Sequence, residues 1–236
     1  MRRAGAYVVP YFVAVVRSLA GAPQTTVLST PVIASGAPVY GKTLTVVTKL
    51  SPFTLASDPA QNGMVAFSAD GHSTTPTPLD PTGAAAVSLN FLPGPHTIAA
   101  QFSGSTLFLP ASSGTLVIQV SKATPGVTIS APAAQIGQPL TIRAAVTLPV
   151  GSSGTPGGQV DFTNSGITIA SCTGVKIQSG AAICNTSFPQ TGFYTITATY
   201  TGDSNTNPAT GTFFLSVGKL APSLYVASAQ IGRAHV

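Results

Sequence analysis

The chain says nearly the same thing twice, about a hundred residues apart. Residues 94–104 open on Gly94 and run through His96, Ile98, Ala100 and Phe102 to Gly104. Residues 192–202 open on Gly192 and run through Tyr194, Ile196, Ala198 and Tyr200 to Gly202. Other matches keep the same order: 40–46 with 136–142, 63–67 with 158–162, 83–85 with 180–182, and 121–125 with 218–222. Chance or shared low complexity would not preserve that order. A repeat of this length means tandem domains rather than a solenoid of short units. The expected organisation is a first domain at 24–121, a second at 122–218, and the truncated start of a third at 219–236.

Each unit is long enough to enclose one two-layer core. Charged residues make up 6% of the chain, with no Glu and no Trp. Such low charge argues against the charge-rich kind of disorder. Gly and Pro fall between apolar runs, where turns need them.

The formal net charge of +5 invites a nucleic-acid reading, but its placement removes it. Between residues 24 and 218, Lys42, Lys49, Lys122, Arg143 and Lys176 balance Asp58, Asp70, Asp80, Asp161 and Asp203. The excess sits at the ends, on Arg2, Arg3, Arg17, Lys219 and Arg233. No basic stripe remains to collect phosphates, so no nucleic-acid partner is expected.

The first 23 residues admit two readings. Arg2 and Arg3, an apolar run from Ala6 to Val16, and the small residues Ala20 and Ala22 have the form of a secretory signal. Pro10 within the run and Arg17 after it fit the remnant of a preceding segment equally well. The run is too short to span a bilayer as a helix, and no other stretch could do so. At the other end, residues 231–236 break the repeat and read as non-native residues on a fragment of a longer protein.

Period-2 alternation marks the strands. In the second unit, Leu140, Ile142, Ala144 and Val146 alternate with Thr141, Arg143, Ala145 and Thr147. Val160 and Phe162 alternate with Gln159 and Asp161; Phe213, Leu215 and Val217 alternate with Phe214 and Ser216. The first unit follows with Leu44, Val46 and Thr48, then Val65 and Phe67, then Leu116, Ile118 and Val120. One apolar and one mostly polar face per strand is what an antiparallel sheet half-open to solvent requires. No helical period is sustained. The expected fold class is all-β: two tandem immunoglobulin-like β-sandwiches. Tyr194 stands where a tyrosine corner would lie, with His96 in its place in the first unit.

These residues resemble the bacterial Ig-like repeat domains found in tandem in large surface and secreted proteins. The carrying residues are the strand at 158–162, the strand from Gly192 to Tyr200, and Thr201, Gly202 and Asp203 after it. The first unit departs, with Ser105 and no Asp. The family has no shared enzymatic activity. The resemblance therefore implies a spacer or stalk, secreted or on a bacterial cell surface, with adjacent Ig-like repeats as partners.

Cys172 and Cys184 are the two cysteines. The turn signal at Ser179 and Gly180 lets their flanks form a hairpin with the cysteines near its open end. A disulfide is expected, the other reading being two unconnected thiols; the resemblance supports the bond, since some related repeats carry such a pair. Two Cys without a nearby His fall short of the ligands zinc wants, so no metal is expected. Asp70, His72 and Ser73 carry the residue types of a hydrolytic triad, but they share one turn, whereas a triad needs convergence of distant segments. Asp203 with Asn205 and Asn207 has the look of a calcium loop, yet calcium wants several carboxylates. No catalytic residue and no cofactor are expected. A rival to the spacer reading is a module that binds carbohydrate or protein through its end loops. Clustered aromatics there would favour it, and the loops around 70–82 and 203–210 hold none.

Overall fold

A computed structural model describes residues 22–220. The signal-or-remnant reading of 1–21 and the third-repeat and non-native-end readings of 221–236 lie outside the described residues. Each repeat is two antiparallel sheets face to face, as the alternation requires.

In the first repeat the strands are β1 Val27–Leu28, β2 Val32–Ser35, β3 Leu44–Ser51, β4 Met64–Ala69, β5 His72–Ser73, β6 Thr77–Pro78, β7 Ala84–Leu89, β8 Gly94–Phe102, β9 Ala111–Ser112 and β10 Leu116–Val120. One sheet has the order β1-β3-β2, with β7 also on β3; the other runs β10-β8-β4-β5, with β6 on β4 and β9 on β8. The inward residues are the predicted ones: Leu44, Val46, Val65, Phe67, Ile98, Phe102 and Val120 are buried. Thr48, on the same inward face, is buried too. Its hydroxyl is satisfied by donating to the Ser29 carbonyl, as a buried polar group must be.

In the second repeat the strands are β11 Gly126–Ser130, β12 Ala134–Gln135, β13 Leu140–Thr147, β14 Gln159–Asn164, β15 Ile167–Thr168, β16 Val175–Lys176, β17 Ala181–Thr186, β18 Gly192–Tyr200 and β19 Ala209–Gly218. One sheet is β11-β13-β17; the other is β12-β19-β18-β14-β15, with β16 on β14. Between the sheets pack Ile142, Val146, Val160, Phe162, Ile196 and Tyr200, with Cys172 and Cys184 among them. Each such side chain contributes roughly 1.5–3 kcal/mol by leaving water, so this layer is what holds the sheets together.

The end of each repeat takes up an early segment of that repeat in parallel. In the second, β12 pairs with β19 through Ala134 with Val217 and Gln135 with Gly218. In the first, the matching bridge joins Val39 to Ser121. Further upstream, Gln24 bridges Phe108 and Ala123 bridges Thr206, also in parallel. The threonine-rich outer face of β18 and β19 carries two exposed aromatics, Phe193 at 89% and Phe214 at 78% exposure.

Candidate functional site

The polar residues that could do chemistry are best followed from their local backbone. Asp70 and Gly71 both have positive φ, 50° and 82°. Two consecutive left-handed residues form the hairpin turn whose twist matches the strands it joins, here β4 and β5. His72 and Ser73 are exposed on the short β5, so Asp70, His72 and Ser73 all belong to one hairpin.

The other carboxylates are spent in the same way. Asp58 Oδ1 accepts from the Ala60 N–H at 3.0 Å and caps a single 3-10 turn. Asp80 Oδ1 accepts from the Thr82 hydroxyl and from the N–H groups of Thr82 and Ala84. These bonds, that from the Thr82 hydroxyl foremost, hold its carboxyl below the usual range. Asp161 Oδ1 accepts from the Gly174 N–H at 2.6 Å. Among the described residues, no three His, Cys, Asp or Glu side chains converge as a metal would need.

Asp203 is the most engaged. Its Oδ1 accepts from the N–H of Asn205, the N–H of Thr206 and the Thr206 hydroxyl, each at 2.7 Å. Its Oδ2 accepts from the Gly157 N–H at 2.7 Å. Because the Thr206 hydroxyl proton goes to Asp203, the buried Tyr200 hydroxyl donates to Thr206 Oγ1, at 2.6 Å. Burial pushes the Asp203 carboxyl up, but the Thr206 hydroxyl and the three N–H donors outweigh it and leave it below the ordinary range. Burial likewise raises the Tyr200 phenol. The loop is closed by protein donors around one carboxylate. Asn207 does not turn into it: its amide donates to Thr124 Oγ1 at 3.0 Å, on the segment that begins the repeat.

The first repeat makes the same corner from other residues. Ser105 Oγ accepts from the N–H groups of Leu107 and Phe108. Phe108 takes the place of Thr206, is buried, and packs 5.4 Å from Phe53. One loop thus has a polar and an apolar version.

The corner at the start of the long strand is likewise shared. Tyr194 Oη donates to the Gln190 carbonyl at 2.8 Å, and His96 Nε2 lies 2.8 Å from the Leu92 carbonyl. Both reach four residues upstream, as a tyrosine corner does. Both stack on an aromatic: Tyr194 on Phe188 at 4.6 Å and His96 on Phe91 at 4.5 Å. His96 is therefore a structural substitute for tyrosine. Replacing Tyr194 by Phe should keep the stacking and lose one hydrogen bond. The second repeat should then lose about 1 kcal/mol, read as a lower urea midpoint at unchanged slope.

Cys172 and Cys184 form a disulfide, with Cα atoms 5.2 Å apart. Its place differs from the hairpin expectation. Ser179 and Gly180, at φ 49° and 76°, do make a tight turn, between Gln178 and Ala181. But β16 leaves that turn to pair with β14 in the opposite sheet. Cys172 lies on a 3-10 turn between β15 and β16, and Cys184 lies on β17. The bond therefore ties one sheet to the other across the core.

Two stacked antiparallel sheets and a hydrogen-bonded corner before the penultimate strand define an immunoglobulin-like module. The family model for the bacterial Ig-like domain (group 3) matches residues 30–121 and again 127–218, and the chain belongs to that family. No curated protein matches the chain. Among solved structures, the fibronectin(III)-like modules of Clostridium thermocellum CbhA are 16% identical, over 84% of this chain and 100% of theirs, with a TM-score of 0.34. Domains from titin are 13% identical over 80% of this chain and 65% of theirs, at 0.44. A β-glucuronidase of Parabacteroides merdae is 11% identical at 0.30, and this chain covers 23% of that enzyme.

Proposed function

We propose that the chain is a non-catalytic, load-bearing spacer of tandem Ig-like domains in a larger bacterial protein, secreted or held at the cell surface. The observation that carries this reading is the parallel pairing of an early segment of each repeat with that repeat's end, at Val39 and Ser121 in the first and between β12 and β19 in the second. Tension applied through the two ends of a repeat slides these parallel segments past each other. Their hydrogen bonds are then loaded together, in shear, rather than one at a time. The several donors on Asp80 and on Asp203 support the non-catalytic part, because a carboxylate held below its ordinary range is a weak base and stays ionised, so it makes a poor general acid.

Stretching single molecules of the full chain tests the reading. Two mechanical unfolding events are expected, each releasing on the order of 30 nm of chain at roughly 3.5 Å per residue. One event should lengthen by about 4 nm after reduction, because the disulfide hides a separation of 12 residues. Extension without resolved force peaks would overturn the proposal.

A further inference from the structure

The second repeat has an open cleft of about 360 Å³ on the outer side of the three-stranded sheet. Arg143, Ala181 and Ile183 form its floor. Val175, Lys176, Gln178 and Ser179 form a wall where the chain crosses from β16 to β17. Arg143 is placed rigidly: it stands on the central strand β13, with Ser130 on one side and Ile183 on the other. Lys176 is held by its pairing with Gln159 of β14. The turn closing on Gln178 and Ala181 fixes the wall against the edge of β17.

The cleft's charge is one-sided. Arg143 is the single arginine in the balanced region 24–218, and it shares the cleft with Lys176. The lining holds no carboxylate. Asp161, two residues along β14 from Gln159, the partner of Lys176, accepts from the Gly174 N–H. Ile183 is 45% exposed, so an apolar surface lies beside the two cations. The Gln178 amide and Ser179 hydroxyl add neutral donors and acceptors, both exposed.

The first repeat supplies an internal comparison. Matched strand positions put Val47 where Arg143 stands. Strand register puts Pro78, opposite Met64, where Lys176 stands opposite Gln159. Asp80, whose N–H bonds to Ala84, replaces Gln178, whose N–H bonds to Ala181. The three matched positions thus carry no cation and one carboxylate, Asp80, which Lys49, two residues beyond Val47, faces instead. The sandwich does not need Arg143 and Lys176, and the pair is an addition of the second repeat.

We propose that this cleft binds a uronic-acid residue of an acidic polysaccharide. Arg143 offers a planar fork that matches a carboxylate, and Lys176 adds a second positive charge. The apolar C–H face of the sugar ring rests on Ile183. Its hydroxyls meet Gln178 and Ser179. A neutral sugar leaves both cations without a counter-charge, and a bare anion leaves the apolar floor uncovered, so the combination selects an acidic ring.

The test is a ¹⁵N NMR titration of the full chain with a galacturonic acid trimer, with maltotriose and sodium sulfate as comparison ligands. Saturable shifts are expected at the amides of Arg143, Lys176 and residues 178–183, and none at Val47 or Asp80. R143A/K176A should weaken the trimer at least tenfold while leaving the rest of the spectrum in place. Raising salt from about 50 to 500 mM should weaken it severalfold, since exposed charges are screened. Ile183→Ala should weaken the trimer and leave sulfate unchanged. No saturable shift at millimolar trimer would overturn the proposal, as would undiminished binding by R143A/K176A. Equal binding of maltotriose, or sulfate binding as tightly as the trimer, would overturn the acidic-sugar assignment.

Discussion

Replacing Asp203 by Ala is expected to lower the stability of the second repeat by about 3 kcal/mol, with the first repeat unchanged. The carboxylate accepts four hydrogen bonds, three of them from backbone N–H groups. Bonds to an ionised acceptor contribute about 1.5–3 kcal/mol each when buried, and partial access of water to this loop lowers that sum. The loss also reaches the core, because Thr206 orients the buried Tyr200 hydroxyl. For a unit of this size the melting point should fall by about 12 °C or more. The pH dependence follows from the direction of the shift. The folded pKa is depressed, so the stabilisation is present above the unfolded value of about 4 and is lost as pH falls through the folded value. The gap in melting temperature between the wild type and D203N should therefore be wide at pH 7 and narrow steadily below about pH 4. A gap that stays constant down to pH 2, or D203A melting with the wild type, would show that the carboxylate is not what closes the corner.

The strands with strict alternation were legible in the sequence because one face of each is buried by large residues. The long strands β8 and β18 are examples. β17 was legible only as an arm of the expected hairpin and not from alternation, since its inward positions are Ala182 and Cys184, too small to stand out in Ala-Ala-Ile-Cys-Asn-Thr. The tyrosine-corner position was visible at Tyr194, but nothing in the residue order shows that His96 finds a carbonyl four residues back. Asp203 could be read as a turn residue. That it collects four donors depends on Gly157, some 46 residues away, and separations of that kind leave no local pattern. Arg143 and Lys176 fall on different strands, in opposite sheets, and only the crossing of β16 brings them into one cleft. The cysteine pairing was legible; the geometry of the bond was not, because strand alternation does not say that β16 abandons its hairpin partner for the other sheet.

Removing the disulfide should be the second large loss, and its place in the fold says where the loss will appear. In the first repeat the link from β5 to β6 is short, the residues 74–76. In the second, the link from β15 to β16 spans residues 169–174 and puts Cys172 into the core. A longer link costs more order to hold, and the bond from Cys172 to β17 offsets that cost. Closing a loop of about a dozen residues restricts the unfolded chain by roughly 3 kcal/mol on the loop-entropy account. The variant C172A/C184A should therefore melt about 12 °C or more below the wild type in the second transition, with the first unmoved. Hydrogen exchange should localise the effect. Amides of residues 169–177 should exchange at least tenfold faster, while those of β18 and β19 move only with global stability. A double variant melting within about 2 °C of the wild type would mean that the core alone fixes residues 169–174. Uniform acceleration across the repeat would show that the bond acts only on the unfolded chain and does not hold the 3-10 turn in place.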